Sequence, residues 1–229
     1  MQGPQEGKPK VGILGSGDVG QALGRGLASR GYGVKIGSRT PNSDKLRDWV
    51  KKAGRTASVG SFADAAAYGD FVVLATLGTA VEEVINLAGA SALEGKLLID
   101  VTIPLDFSKG MPPGLFVGTT DSLGERIQRK LPRTKVVKAF NTLFAQVLQG
   151  GGKVGGVGAT VFIAGDDEAA NRAVEEIARK AGLKPVQTGG LKLARYLEPL
   201  AGLNIALGYG RGLGTDIAPT WNVAPAKAA

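Results

Sequence analysis

The 229-residue chain contains neither cysteine nor histidine. Disulfides, thiolate chemistry and the usual zinc sites are thereby excluded, and so is any mechanism in which an imidazole carries a proton. No uninterrupted apolar run reaches the roughly 20 residues needed to cross a bilayer. Met1 to Pro9 lacks the apolar centre of a signal peptide, so residues 1–8 and 222–229 are expected to be flexible tails of a cytoplasmic protein. Basic residues outnumber acidic ones 28 to 20, a formal net charge of +8. The cations are spread along the chain without the interleaved aromatics of a single-strand nucleic-acid groove. Neither a nucleic acid nor a membrane is expected as a partner, and a polyanionic small molecule accounts for the bias.

What is present is concentrated near the N-terminus. Val11 to Leu14 reads as a buried strand, and Val19, Ala22, Leu23 and Leu27 fall on one face of a helix. Between them lies Gly15-Ser16-Gly17-Asp18-Val19-Gly20, a G-x-G-x-x-G pattern in the strand–turn–helix context that gives it meaning. Gly15 allows a tight turn, Gly17 lets the backbone approach a pyrophosphate, and Gly20 lets the helix pack on the strand. The helix N-terminus adds free N–H donors and a partial positive charge. The pattern predicts a dinucleotide site.

The second strand, Val34 to Gly37, bears on which dinucleotide. An NAD site usually ends this strand with an Asp or Glu for the ribose 2′-hydroxyl. Here it ends in Ser38-Arg39, with Lys45 six residues on. A hydroxyl and a forked guanidinium suit a 2′-phosphate, which a carboxylate would repel. The expected cofactor is NADP(H).

Strand and helix patterns then alternate. Ser43 is placed to cap a helix with Leu46, Trp49, Val50 and Ala53 inward, ending at Gly54; a short strand follows near Ala57 to Val59. Phe71–Ala75, Lys96–Val101 and Lys135–Phe140 read as further strands, and Thr79-Ala-Val-Glu82 as a capping box before a helix. Such units imply a Rossmann-type, doubly wound parallel sheet with right-handed crossovers. Residues 148–158, rich in glycine, read as a surface loop or an interlobe hinge. Thr160–Ala164 is a strand, and Asp166 or Asp167 caps a helix running to Gly182. The expected division is an NADP-binding domain at 9–147 and a small C-terminal α/β lobe at 148–221. That lobe ends in a helical segment with Leu193, Tyr196, Leu197, Leu200, Leu203, Asn204 and Leu207 at helical spacing, and Pro199 inside should kink or interrupt it. The stripe suits a core face or the interface of a homodimer.

Gly-Ser-Gly-Asp-Val-Gly at 15–20, Gly-Ser-Arg at 37–39, Asp-Val-Thr-Ile-Pro at 100–104, Val-Lys-Ala-Phe-Asn-Thr at 137–142 and Gly-Asp-Asp at 165–167 together resemble the F420-dependent NADP reductase family. They are also similar to the cytosolic NADPH-binding domain of the six-transmembrane epithelial metalloreductases. The resemblance covers roughly residues 10–200. It implies NADPH across the carboxyl ends of the strands and hydride exchange with a flavin or deazaflavin. By position it implies Ser16, Ser38, Arg39 and Lys45 at the adenosine 2′-phosphate. Thr76, Leu77, Gly78 and Thr102 to Pro104 would line the ribose and nicotinamide, with Asn141 and Thr142 after the next strand. Archaeal deazaflavin enzymes carry a His where this chain has Asn141. An amide orients a carboxamide or a flavin carbonyl but supplies no proton.

The leading expectation is an NADP-dependent oxidoreductase that moves a hydride between NADP(H) and F420, or FMN or FAD in its place. Thr102, Pro104, Asn141 and Thr142 are the positioning candidates. A reductase of a small carbonyl or imine would instead need a proton donor, for which Lys138, Tyr196 and Tyr209 are the candidates, and Tyr209 and Arg211 could help cover a second substrate. The third alternative is an NADPH-binding sensor without turnover.

Overall fold

The computed structural model describes residues 8–222. The expected flexible tails fall almost wholly on 1–7 and 223–229, which lie outside the described residues. The chain begins β1 (Lys10–Leu14), α1 (Asp18–Ala28), β2 (Gly33–Gly37), α2 (Asp44–Ala53) and β3 (Ala57–Gly60). It continues α3 (Phe62–Tyr68), β4 (Phe71–Leu74), α4 (Val81–Ala88), a four-residue α5 (Ala90–Leu93) and β5 (Leu97–Asp100). After a hairpin of β6 (Leu105–Asp106) and β7 (Gly114–Leu115) come α6 (Leu123–Lys130), β8 (Lys135–Lys138) and α7 (Ala145–Gln149). A second hairpin, β9 (Lys153–Val154) and β10 (Val157–Gly158), leads to β11 (Thr160–Gly165), α8 (Glu168–Lys180), β12 (Lys184–Gly189) and α9 (Ala194–Ile205).

Eight strands form one sheet in the order β12-β11-β8-β5-β4-β1-β2-β3. β1 pairs in parallel with both β2 and β4, so the chain winds outward on one side of β1 and returns on the other. That reversal makes a crevice at the carboxyl ends of β1 and β4, where doubly wound sheets bind ligands. β11 and β12 extend the same sheet, with β11 antiparallel to β8 and parallel to β12. The architecture is a mostly parallel, Rossmann-type α/β sheet.

Alternating strand residues feed two cores. Ile13, Val73, Ile99 and Val137 face α1, α2, α7 and α8, while Leu14, Leu74, Leu98 and Val136 face α3, α4 and α6. Burial on both faces is why these strands read as continuous apolar runs.

Several boundaries differ from the expectations. α3 and α6 have no counterpart in them. α3 is short and Ala-rich, and its signal is the Ser61–Asp64 capping box, closed in both directions. Ser43 stands at the N-cap of α2 without making a side-chain bond. Thr79 caps nothing either: it lies in a 3-10 turn at Gly78–Ala80, and Ala80 precedes α4. The glycine-rich segment carries the β9–β10 hairpin, whose turn Gly155-Gly156 has φ of 56° and 81°, a conformation that favours glycine. α9 runs through Pro199 without interruption into a π-helical turn at Ala206–Gly210. Its inward positions are Ala194, Leu197, Glu198, Ala201 and Asn204, whereas Tyr196, Leu203 and, in the π-helical turn, Leu207 point to solvent. The continuous core stripe is therefore not formed.

Candidate functional site

Gly15 leaves β1 with φ of +134°, and a Cβ there would fall 2.1 Å from the Ala75 carbonyl oxygen. Gly20 faces the same constraint, since its Cβ would lie 2.4 Å from the Gly15 carbonyl oxygen. These two glycines let α1 start directly against the strand ends. Gly17 differs: no atom lies within 4 Å of a Cβ placed on it. It is the N-cap of α1 and carries no side-chain cap, so the first-turn N–H groups face an open cradle of the kind that takes a phosphate. Gln21 Nε2 donates to the Ser16 carbonyl at 2.8 Å and braces the turn from the helix side. Val19 is half-buried beside it and Asp18 is exposed.

The end of β2 meets this turn. Gly15 N–H donates to the Gly37 carbonyl at 3.2 Å, and the hydroxyls of Ser16 and Ser38 lie 3.1 Å apart. Ser38 is buried and its Oγ accepts the Thr40 N–H. Arg39 is exposed and lies 3.8 Å from Glu83 of α4, while Lys45 pairs with Asp18 at 3.3 Å. Exposed pairs of this kind contribute about 0–1 kcal/mol, so both cations can exchange a carboxylate for a phosphate at little cost. The structure thus brings Ser16, Ser38, Arg39 and Lys45 to one rim. It also adds Glu83, which sequence spacing could not place.

The other end of the crevice is built by the exits of β4, β5 and β8. Leu77 is exposed at its mouth, and Gly78 packs so closely on the next exit that a Cβ would lie 2.2 Å from the Ile103 carbonyl oxygen. Thr102, Asn141 and Thr142 are buried, and Pro104 is buried beside them in the chain. Phe140 has φ of 61°, the one non-glycine residue with positive φ among the described residues. For a bulky side chain that backbone is strained, and it turns the chain sharply into Asn141. Asn141 Nδ2 donates to the Leu197 carbonyl at 2.8 Å, which leaves its buried Oδ1 as an acceptor without a partner. A primary carboxamide or a ring N–H fits that atom.

Beneath Thr102 lies a cluster that sequence reasoning did not assemble. Lys138 Nζ lies 2.6 Å from Asp100 and 2.8 Å from Glu198, and donates to the Thr102 carbonyl at 2.9 Å. All three charged side chains are essentially without solvent contact. Burial opposes the charge on Lys138, but attraction to Asp100 and Glu198 outweighs it and raises the ammonium pKa above its ordinary value. Lys138 is thus removed as a proton donor, because its protons are held by three fixed oxygens. Glu198 sits in the apolar-looking Leu193–Leu207 run, where nothing in the sequence marked it as inward. Tyr196, Tyr209 and Arg211 are exposed, and neither Tyr196 nor Arg211 makes a side-chain hydrogen bond or ion pair among the described residues. Tyr209 stacks edge-on with Phe144, ring centroids 5.5 Å apart.

A glycine-rich turn uncapped at the switch point of a doubly wound sheet, with hydroxyls and cations at the end of β2, defines a Rossmann-type α/β fold of the kind that binds dinucleotides. Comparison with known proteins narrows that class. The family profile described as NADP oxidoreductase, coenzyme F420-dependent, matches residues 10–104. The F420-dependent NADP reductase of Methanothermobacter marburgensis is 31% identical over 216 residues, covering 86% of this chain and 92% of that protein. The rat metalloreductase STEAP3 is 32% identical over 195 residues; the match takes in 84% of this chain but 36% of that protein, so the chain spans about a third of its length. A solved structure of a candidate F420-dependent NADP reductase from Arthrobacter sp. FB24 superposes with a TM-score of 0.85 at 35% identity, covering 94% of this chain and 99% of that one. The chain belongs to the F420-dependent NADP reductase family. No helix among the described residues is long and apolar enough to cross a membrane.

Proposed function

We propose that the protein binds NADP(H) across the carboxyl ends of β1, β2, β4, β5 and β8 and exchanges a hydride with a deazaflavin or flavin ring. The observation that carries this reading is the rim of Ser16, Ser38, Arg39 and Lys45 beside the uncapped start of α1, where a 2′-phosphate and a pyrophosphate meet complementary donors. The bound nicotinamide would supply the hydride chemistry. The chain's own residues do the rest. Arg39 and Lys45 trade Glu83 and Asp18 for the phosphate, Gly17 and the first turn of α1 take the pyrophosphate, and Asn141 Oδ1 accepts an N–H at the nicotinamide end. Leu77 gives the crevice an apolar wall that excludes water from the reacting ring. Rate comes from alignment of two ring carbons about 3–3.5 Å apart, and no side chain need take up a proton.

The carbonyl or imine reading loses one of its three candidate donors, because Lys138 is enclosed in ion pairs; Tyr196 and Tyr209 are exposed. Calorimetry with NADPH and NADH, followed by rapid mixing of the NADPH-loaded protein with F420, FMN, FAD and simple carbonyls, tests the assignment. Preference for NADPH and oxidation by one ring acceptor is the expected result. Oxidation by carbonyls alone would replace the reading, and tight binding without any turnover would make the protein an NADPH sensor. We further propose a homodimer in which a second copy covers Tyr196, Leu203 and Leu207, large side chains that α9 and the π-helical turn after it leave in solvent. Sedimentation of the protein and of Leu203→Glu should separate dimer from monomer; a monomer in both overturns it.

A further inference from the structure

Buried ion pairs are weak contributors to stability, because desolvation offsets most of the attraction between the charges. A lysine with two carboxylates deep in the sheet therefore invites a different reading, and its position suggests which. Asp100 and Lys138 are the last residues of two adjacent parallel strands and stand opposite each other in register. Asp100 Oδ1 accepts both the Thr102 N–H at 2.9 Å and the Thr102 hydroxyl at 2.6 Å, and Lys138 holds the Thr102 carbonyl. Every polar group of Thr102 is thus held by this cluster. Gly78 rests on the Ile103 backbone, so the β4 exit takes its position from the same clamp. On the other side Glu198 accepts the N–H groups of Leu123 and Gly124 at 2.9 and 3.0 Å and so caps α6 from within α9. Leu197, the residue before it, receives Asn141. The segments that end at Gly78, Thr102 and Asn141 are all referred to one ammonium.

We propose that Lys138, acting through Asp100 and Glu198, is a positioning residue that fixes the nicotinamide end of the site while leaving the adenosine end independent. The inference rests on the NADP(H) reading above. It separates two halves of one ligand, because Ser38, Arg39 and Lys45 share no hydrogen bond or ion pair with the cluster among the described residues.

The test compares NADPH with adenosine 2′,5′-bisphosphate, which carries the 2′-phosphate but no nicotinamide, on the full chain. In Lys138→Met, NADPH affinity should fall by about tenfold and affinity for the bisphosphate should stay within about twofold, with the nicotinamide fluorescence of bound NADPH shifted toward that of the free molecule. Asp100→Asn is the milder second variant. A single amide oxygen cannot serve both Thr102 and Lys138, so the same split is expected there should Lys138→Met fail to fold. Parallel loss of both ligands, or loss of neither, in a folded variant overturns the proposal. If the unsubstituted protein binds the bisphosphate and NADPH equally, the nicotinamide end contributes nothing and the proposal also falls. If it binds neither, the NADP(H) reading fails, and this inference with it.

Discussion

In the proposed reading, Arg39 carries most of the weight in the choice between the two nicotinamide cofactors. Its guanidinium is exposed and, among the described residues, held only by a long contact to Glu83, which leaves it able to meet a 2′-phosphate. Losing one charge-assisted pair costs about 1.5–3 kcal/mol, roughly 10- to 150-fold in affinity. Arg39→Ala should lower NADPH affinity by that factor and leave NADH binding unchanged, as read by calorimetry. Equal losses for both cofactors would move the 2′-phosphate elsewhere. Asp121 offers a separate check at residue scale. Hydrogen bonds from Arg129 and Arg126 hold its pKa at about 2, below the ordinary 3.8. The stabilisation is therefore present above the unfolded value and lost as pH falls through the folded one. Asp121→Asn should cost about 1 kcal/mol at pH 7, the upper range for a surface network, and progressively less as pH falls toward about 2. A loss in chemical denaturation that does not change between those pH values would contradict the assignment.

The turn between β1 and α1 makes opposite predictions for two of its glycines. Gly17→Val adds a side chain into open space, so the fold should persist while both NADPH and NADH binding are abolished. Gly20→Val drives a Cβ into the Gly15 carbonyl and should destabilise by several kcal/mol, about the upper end of single-residue effects. Circular dichroism and thermal melts separate the two outcomes. Elements of this end of the chain were legible because each local signal agreed with its neighbours: β1, the glycine turn and α1 appear where periodicity and spacing put them. α3 was not legible, since its seven residues include four alanines, which carry no face preference, and only its cap marks it. α9 misled in the other direction. Its leucines suggested an all-apolar core face, but the buried side of the helix is mixed, with Glu198 and Asn204 turned inward beside Leu197 and Ala201 to bond Lys138 and the Thr142 carbonyl. Hydrophobic spacing cannot report a face whose burial is compensated by hydrogen bonds to residues 62 and 75 positions away in the sequence.

At the scale of the whole molecule, one sheet presents the exits of β1, β2, β4, β5 and β8 along a single crevice, and the two ends of that crevice are built differently. The end proposed for the adenosine is an exposed rim of cations, set by local sequence and readable from it. The end proposed for the nicotinamide is built on long-range ties among β5, β8, α6 and α9, which spacing along the chain does not reveal. Nothing at that end titrates near neutrality by way of histidine or cysteine, since the chain has neither. The central claim is that the protein aligns two rings for hydride transfer without a side-chain acid. Its most direct test is single-turnover oxidation of bound NADPH deuterated at the transferring C4 position, with the best ring acceptor, between about pH 6 and 8.5. A primary isotope effect on a rate that stays flat across that range is the predicted result. A steep bell-shaped profile that Tyr209→Phe removes would identify a proton donor and contradict it.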